Sequence, residues 1–385
     1  MSIHLEETQI NEIRAIKDSK PFEFLLEKTQ VQTAAVGRDI IAKNRGTHSD
    51  SVVNVAHAMM LSIAKDLGMN SKYDVDYRKT LTQSCLLHDI GHPPFGHDGA
   101  EKLDALFKSL GLKEGFDDNC NNITVILAHN IGVRDEVIAD IIKYPNKMYE
   151  EHIDRFIPKL KEVIEQDKEY FSKYGVNLKN QKRTIACQIM DRADEIAYTC
   201  DDMSNYFCLN RDKKISFKEA MKFFDKHDEK HLELADRMIK AVNSGKKSEI
   251  MKFFSELKVE LSDNFKLVDE GVKVKNNSLH SFRSGLSKMS FEYYIKPLRK
   301  ENLHLDNVKR LEVFLNHCVD GYYDGSRMYS EKIEEAKKAG DKKSELKAIR
   351  DMVGEVSDPF VINTTSKLLD NSVDEIERKE KVKLR

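Results

Sequence analysis

The sequence predicts an all-α fold on three observations. Apolar residues recur every three or four positions through long stretches, turn-formers are sparse at 7 prolines and 17 glycines in 385 residues, and a single short segment alternates like a strand. The chain is long enough to bury a large core in one domain or two. Lysine and arginine number 63 against 65 aspartates and glutamates, a net charge of -2. No global field advertises nucleic acid, so any anionic ligand must be met by a local basic cluster.

The first strong pattern runs from Ser49 to Leu67, where Val52, Val53, Ala56, Met59, Met60, Ile63 and Ala64 form an apolar stripe and Gly68 supplies the stop. His48 is expected at or just before that helix start. The next helix spans about Asp76 to Asp89, with Leu81, Cys85 and Leu87 inward and Gly91 ending it, which puts the doublet His88-Asp89 at a helix end. A third helix is expected from Asp98 to Leu110 and a fourth from Asn119 through Leu127. Between Lys182 and Met203 the residues Ile185, Ile189, Ala193, Ile196, Ala197 and Cys200 mark another, on which Asp194, Tyr198 and Asp202 share one stripe.

Beyond residue 211 the chain turns lysine-rich, with amphipathic patterns near 215–227, 229–243, 247–264 and 306–338. Phe265–Lys275 is the one strand or hairpin candidate, and the charged stretches Glu331–Lys347 and Glu375–Arg385 read as solvated helices or a frayed end. The expected organisation is an N-terminal segment over 1–27, a catalytic core over 28–210 and a helical C-terminal region over 211–385 packing on it. Six cysteines, at 85, 120, 187, 200, 208 and 318, form no C-x-x-C pair, and the N-terminus carries no apolar leader. No apolar run approaches the roughly 18 to 20 residues of a membrane span. A cytoplasmic protein without membrane partners is the expectation.

Residues 88–97 read His-Asp-Ile-Gly-His-Pro-Pro-Phe-Gly-His, three imidazoles and a carboxylate on a backbone broken by glycine and proline. A divalent metal at a hydrolytic centre needs neutral imidazoles and carboxylates converging from separate elements, with positions left open for water and substrate. His88 and Asp89 offer two such ligands, His48 a third and Asp194 a fourth. His57, His129, His152, His280, His304 and His317, met singly, read as structural residues. The lysine-rich stretch 273–300, with Lys273, Lys275, Arg283, Lys288, Lys296 and Arg299, reads as a solvated face.

The Arg-x-x-His at 45–48, the His-Asp at 88–89 and Asp194 resemble the metal-dependent HD phosphohydrolases, an all-helical superfamily. More narrowly, the decapeptide, Lys28-Thr29-Gln30-Val31 and Ala193-Asp194-Glu195-Ile196-Ala197-Tyr198 look like the dGTPase-like deoxynucleoside triphosphate triphosphohydrolases, over about residues 20–210. The resemblance implies release of a deoxynucleoside and intact triphosphate, on a divalent metal held by His48, His88, Asp89 and Asp194. The expected ion is Mn²⁺ or Mg²⁺, with Fe, Co, Ni or Zn compatible with the same donors. It implies His97 as the proton-transfer residue, His92 and Arg45 on phosphate, Gln30 on the sugar 3′-hydroxyl, and Tyr198 with Asp202 along the deoxyribose. It further implies a homo-oligomer and a nucleotide or single-stranded DNA effector.

One position departs from the family pattern. The carboxylate usual three residues after the catalytic histidine is replaced by Ala100. Glu101, four residues after His97 and a neighbour on a helix, is the expected substitute; the alternative is a degraded dyad. Two competing readings stay open, another HD-type nucleotide hydrolysis or phosphodiesterase and a dNTP-sensing regulator without turnover.

Overall fold

Amphipathic helices make up most of the residues described by the computed structural model, which are 7–28, 44–69, 75–300, 302–321 and 327–368. The N-terminal part carries α1 (Glu7–Lys17), α2 (Lys20–Glu27), α3 (Arg45–Asp66), α4 (Val75–Leu87), α5 (Gly96–Ser109), α6 (Asp118–Ala128), α7 (Asp135–Ile141), α8 (Glu150–Ser172) and α9 (Ile185–Leu209). A short α10 (Phe217–Ala220) leads to α11 (Glu229–Asn243) and α12 (Lys247–Ser262). An antiparallel hairpin follows, β1 (Phe265–Val268) on β2 (Gly271–Val274), pairing Phe265 with Val274 and Leu267 with Val272. The chain continues through α13 (Asn277–Ser290), a π-helical turn Phe291–Ile295, α14 (Lys296–Arg299), α15 (Asn302–Val319), α16 (Arg327–Ala339) and α17 (Lys342–Glu355), and residues 358–368 are helical again. Among the described residues no helix is long and apolar enough to cross a membrane.

The apolar stripes read from the sequence build a first core. On α3, Val52, Ala56, Met59, Met60 and Ile63 pack with Ile189, Ala193, Ile196 and Cys200 of α9, all of them fully buried, and α4 adds Leu81 and Cys85. Each such aliphatic side chain contributes about 1.5–3 kcal/mol on leaving water, so the α3–α9 contact fixes the relative position of any group it carries. The same core continues through α11, α12, the hairpin and α13, with Leu234, Phe254, Leu257 and Phe282. A second core gathers Phe95, Leu103, Phe107 and Phe116 with Leu311, Phe314, Tyr329, Ile349 and Val353 from the C-terminal helices. The decapeptide lies on the seam, since Ile90 belongs to the first core and Phe95 to the second.

Three boundaries differ from the sequence expectation for identifiable reasons. Helix α3 begins at Arg45, because Asn44 and not Ser49 caps it by accepting the Thr47 N–H. His48 therefore sits within the first turn. The 215–227 pattern yields only the four residues of α10, under a capping box of Ser216 and Glu219. The charged 331–347 stretch is not a solvated face throughout, for α16 and α17 pack together and bury Ile333 and Leu346. Residues 375–385 lie outside the described residues. Cys85, Cys120, Cys187, Cys200 and Cys318 are buried and in no disulfide, as small core hydrophobes should be.

Candidate active site

Three elements bring the expected ligand set together. His48 comes from the first turn of α3, His88 and Asp89 from the turn ending α4, and Asp194 from the middle of α9. The ligand atoms of His48, His88 and Asp89 all lie within 4.8 Å of one another. His48 Nε2 is 2.9 Å from Asp194 Oδ1, and His88 Nε2 is 3.6 Å from both Asp194 Oδ1 and Asp89 Oδ1. His88 Nδ1 lies 2.8 Å from the Cys85 carbonyl, which makes Nδ1 the protonated nitrogen and leaves the lone pair on Nε2. That Nε2 is buried without a hydrogen-bond partner. A buried imidazole with its far nitrogen held by a carbonyl and its near one unsatisfied fits a divalent cation, and so do the two carboxylates beside it.

The electrostatics match this arrangement. Burial works against ionised Asp89, yet His88 and Arg45 hold its carboxyl well below the carboxylate range, and the Arg45 guanidinium contacts Asp89 Oδ2 at 2.5 Å. Burial likewise opposes Asp194, and Lys143 with His88 outweighs it. Lys143 Nζ stands 3.2 Å from Asp194 Oδ2; burial disfavours its charge, and Asp194 with Asp89 restores it and raises its pKa. Both carboxylates are thus ionised and ready for a cation.

The rest of the decapeptide forms a second cluster. The ligand atoms of His92, His97 and Asp118 also lie within 4.8 Å of one another, with His92 Nε2 at 3.3 Å and His97 Nδ1 at 3.9 Å from Asp118 Oδ2. His92 is fully buried, and neither of its ring nitrogens has a hydrogen-bond partner. Burial first, then the Arg45 charge, pushes its pKa well below the ordinary imidazole value, so the ring is neutral.

The backbone of this loop is tethered from far away in sequence. Asn122 accepts the Gly91 N–H and donates to the His88 carbonyl, Asn121 donates to the Gly91 carbonyl, and buried Lys28 donates to the His92 carbonyl at 2.6 Å. Asp358 accepts the N–H of Phe95, a non-glycine residue held at φ 63°. That strained conformation persists because its surroundings over-determine it.

One cleft of about 260 Å³ joins these groups, lined by Arg45, His48, Asp89, His97, Asp118, Asn119, Lys143, Tyr144, Asp194, Glu195 and Tyr198. Of the residues read from the sequence, Arg45, His48, Asp89, His97, Asp194 and Tyr198 line it, and His88 and His92 are buried beside them. Asp202 is buried and hydrogen-bonded to Tyr198, and it is not among the residues that line the cleft. Gln30 lies outside the described residues. Glu101 is exposed on α5, and no hydrogen bond or ion pair joins it to His97; the carboxylate at that ring is Asp118. Asp118 and Lys143 escaped the sequence reading. The only signals were the Gly115-Phe116-Asp117-Asp118-Asn119 and Ile142-Lys143-Tyr144-Pro145 segments, each a loose match to family signatures. Of the histidines read as structural, His57 lies 2.8 Å from the Thr82 hydroxyl and His152 2.9 Å from that of Thr124.

Comparison with known proteins follows the same residues. Residues 45–199 match the HD domain family. A deoxyguanosinetriphosphate triphosphohydrolase-like protein of Caulobacter sp. (strain K31) is 34% identical over 192 residues, covering 48% of this chain and 43% of its own. One from Wolinella succinogenes is 30% identical over 192 residues, 48% and 45% respectively. A protein of Deinococcus radiodurans named deoxyguanosinetriphosphate triphosphohydrolase-like protein 2 is 25% identical over 243 residues, 54% and 55%. The chain spans about half the length of the curated relatives it matches.

Proposed function

The segment 45–199 is an HD domain of the dGTPase-like kind, and from that premise we propose that this phosphohydrolase cleaves deoxynucleoside triphosphates to the deoxynucleoside and inorganic triphosphate. The observation that carries the reading is one cleft lined both by His48, Asp89 and Asp194 of the ligand set and by His97 and Asp118 of the second cluster. Metal ligands alone would suit any HD-type hydrolysis. The Pro-Pro-Phe-Gly-His continuation, which brings His97 to the same cleft, is the feature that favours the triphosphate-releasing reaction.

His48, His88, Asp89 and Asp194 are the residues to hold the cation. When bound, a divalent ion, Mn²⁺ or Mg²⁺ on this reading, supplies Lewis acidity toward phosphate oxygen and lowers the pKa of water. In the reaction the oxygen of water bonds to the α-phosphorus as the bond from phosphorus to the sugar 5′-oxygen breaks. The water gives up one proton and the departing 5′-oxygen takes one. His97 is positioned to handle that proton, near-neutral chemistry suited to imidazole. Arg45 offers a planar guanidinium and Lys143 a point charge to phosphate oxygens. Tyr198, hydrogen-bonded to Asp202, is the wall against which a 2′-deoxyribose packs and a ribose 2′-hydroxyl does not fit. Gln30 as a reader of the 3′-hydroxyl, a homo-oligomer and an effector nucleotide or single-stranded DNA belong to the same reading through the resemblance.

The deciding experiment is a screen of metals against dNTPs with chromatography of the products. Inorganic triphosphate supports the proposal. Phosphate, pyrophosphate or a linear dinucleotide as product assigns a different HD reaction, and dNTP binding with no product under any metal assigns a sensor.

A further inference from the structure

Two imidazoles of the decapeptide stand outside the metal-ligand set, and both approach one carboxylate oxygen. Asp118 is the first residue of α6, directly after Asp117, whose side chain caps the helix by accepting the Cys120 N–H. Its Oδ1 is already engaged, accepting from the Asn119 backbone N–H at 3.0 Å and the Asn119 side-chain amide at 2.9 Å. This fixes the carboxylate and leaves Oδ2 free. That oxygen is the one 3.3 Å from His92 Nε2 and 3.9 Å from His97 Nδ1.

We infer that Asp118 is the positioning carboxylate of this site, a role moved from α5, where the chain has Ala100, to the first turn of α6. The inference rests on the proposed function for the identity of the reaction. A carboxylate facing His97 Nδ1 selects the tautomer with the proton on that nitrogen. It leaves Nε2, across the ring, to exchange a proton in the cleft that His97 lines. The separation of 3.9 Å exceeds a hydrogen bond, and contacts of this kind tighten once substrate is in place. The same oxygen faces Nε2 of buried His92, a nitrogen that would otherwise cost about 1–3 kcal/mol unsatisfied. One anchored residue thus sets the orientation of both rings. Glu101 cannot share the role from an exposed position without a contact to either ring.

The test uses the full-length protein and three variants, Asp118→Asn, Glu101→Gln and the double variant Asp118→Asn with Ala100→Glu. Nitrogen-15 shifts of the imidazoles at fixed pH should place the His97 proton on Nδ1 in the wild type and show a mixture of tautomers in Asp118→Asn. Asp118→Asn should lower kcat about 100-fold, the usual size of a general acid-base contribution, with KM and bound metal per chain unchanged. Restoring a carboxylate at position 100 should recover a large part of that loss. Unchanged tautomer and kcat in Asp118→Asn would overturn the inference, as would a loss confined to Glu101→Gln. Loss of a bound metal equivalent in Asp118→Asn would also overturn it, making the triad a second cation site. Absence of triphosphate from the wild type would count against the proposed reaction alone, because the ring tautomers are read without turnover.

Discussion

The two sides of the cleft are built by different means. His48 and Asp194 stand on α3 and α9, which bury their apolar stripes against each other in the first core, and His88 ends the helix packed beside them. The ligand set thereby inherits the rigidity of close-packed helices. His92, His97 and Asp118 stand on a loop and two helix starts at the seam between the cores, and the His97 side chain is 67% exposed. The loop that carries the two histidines is held by hydrogen bonds with Asn121, Asn122, Lys28 and Asp358. The proposed metal donors are held by packing, whereas the groups proposed to handle the proton are held by polar tethers. Damage to either side should look different.

The largest effect is expected from Asp89→Ala, which removes a ligand and leaves the Arg45 guanidinium, with a side chain only 4% exposed, without its partner. Bound metal measured by elemental analysis should fall to background, turnover should vanish, and urea unfolding should show a loss of about 3–5 kcal/mol. Next comes Gly91→Ala. A methyl there would stand 2.3 Å from the backbone of Asn121 and Asn122, so the loop must shift at a cost of about 1–3 kcal/mol. Metal content should be retained while kcat drops by more than tenfold; equal loss of both would erase the distinction between the two sides.

A smaller effect of the same kind is expected from the C-terminal region. In Gly354→Ala the new methyl would meet Phe116 Cε2 at 2.6 Å and Asn121 Nδ2 at 2.8 Å. Displacing Asn121 loosens the Gly91 carbonyl, so kcat should fall several-fold with metal affinity untouched, as isothermal titration would report.

The smallest effect is a pH slope. Burial lowers the Lys28 ammonium to about 7, against the pull of Glu355 and Asp358. Its folded value lies below its unfolded one, so the unfolded chain binds more protons above pH 7. Stability should therefore rise with pH from about 7 toward the ordinary lysine value and be flat below it. The slope within that window is about 1 kcal/mol per pH unit. Lys28→Met should remove the slope, and chemical denaturation of both proteins at pH 7 and 8.5 checks it. An identical slope in the variant would show that Lys28 stays charged.

The same contrast explains what could be read from the sequence. The α3, α4 and α9 stripes were visible as apolar periodicity, and their polar interruptions His48, His88, Asp89 and Asp194 were visible as chemistry out of place on a core face. Asp118 was not, because an aspartate beginning a helix is what any N-terminal turn favours. Only the fold brings it to His97. Glu101 looked suitable through its i+4 spacing, which guarantees proximity along a helix but not that the face points into the cleft. Lys28 showed only as part of the Lys28-Thr29-Gln30-Val31 resemblance, and Glu355 and Asp358 gave no signal. Burial of their charges depends on segments that meet only in the folded chain, with Glu355 bonded to Tyr329 at 2.7 Å and Lys28 reaching Gly354 across 326 positions.

That last span bears on how the protein matures. With the His92 carbonyl tied to residue 28 and the Phe95 amide tied to residue 358, the loop between them can settle only after segments more than 300 positions apart in sequence have met around it. The packed helices α3, α4 and α9 need no such long-range tether, so the decapeptide loop is expected to order after them.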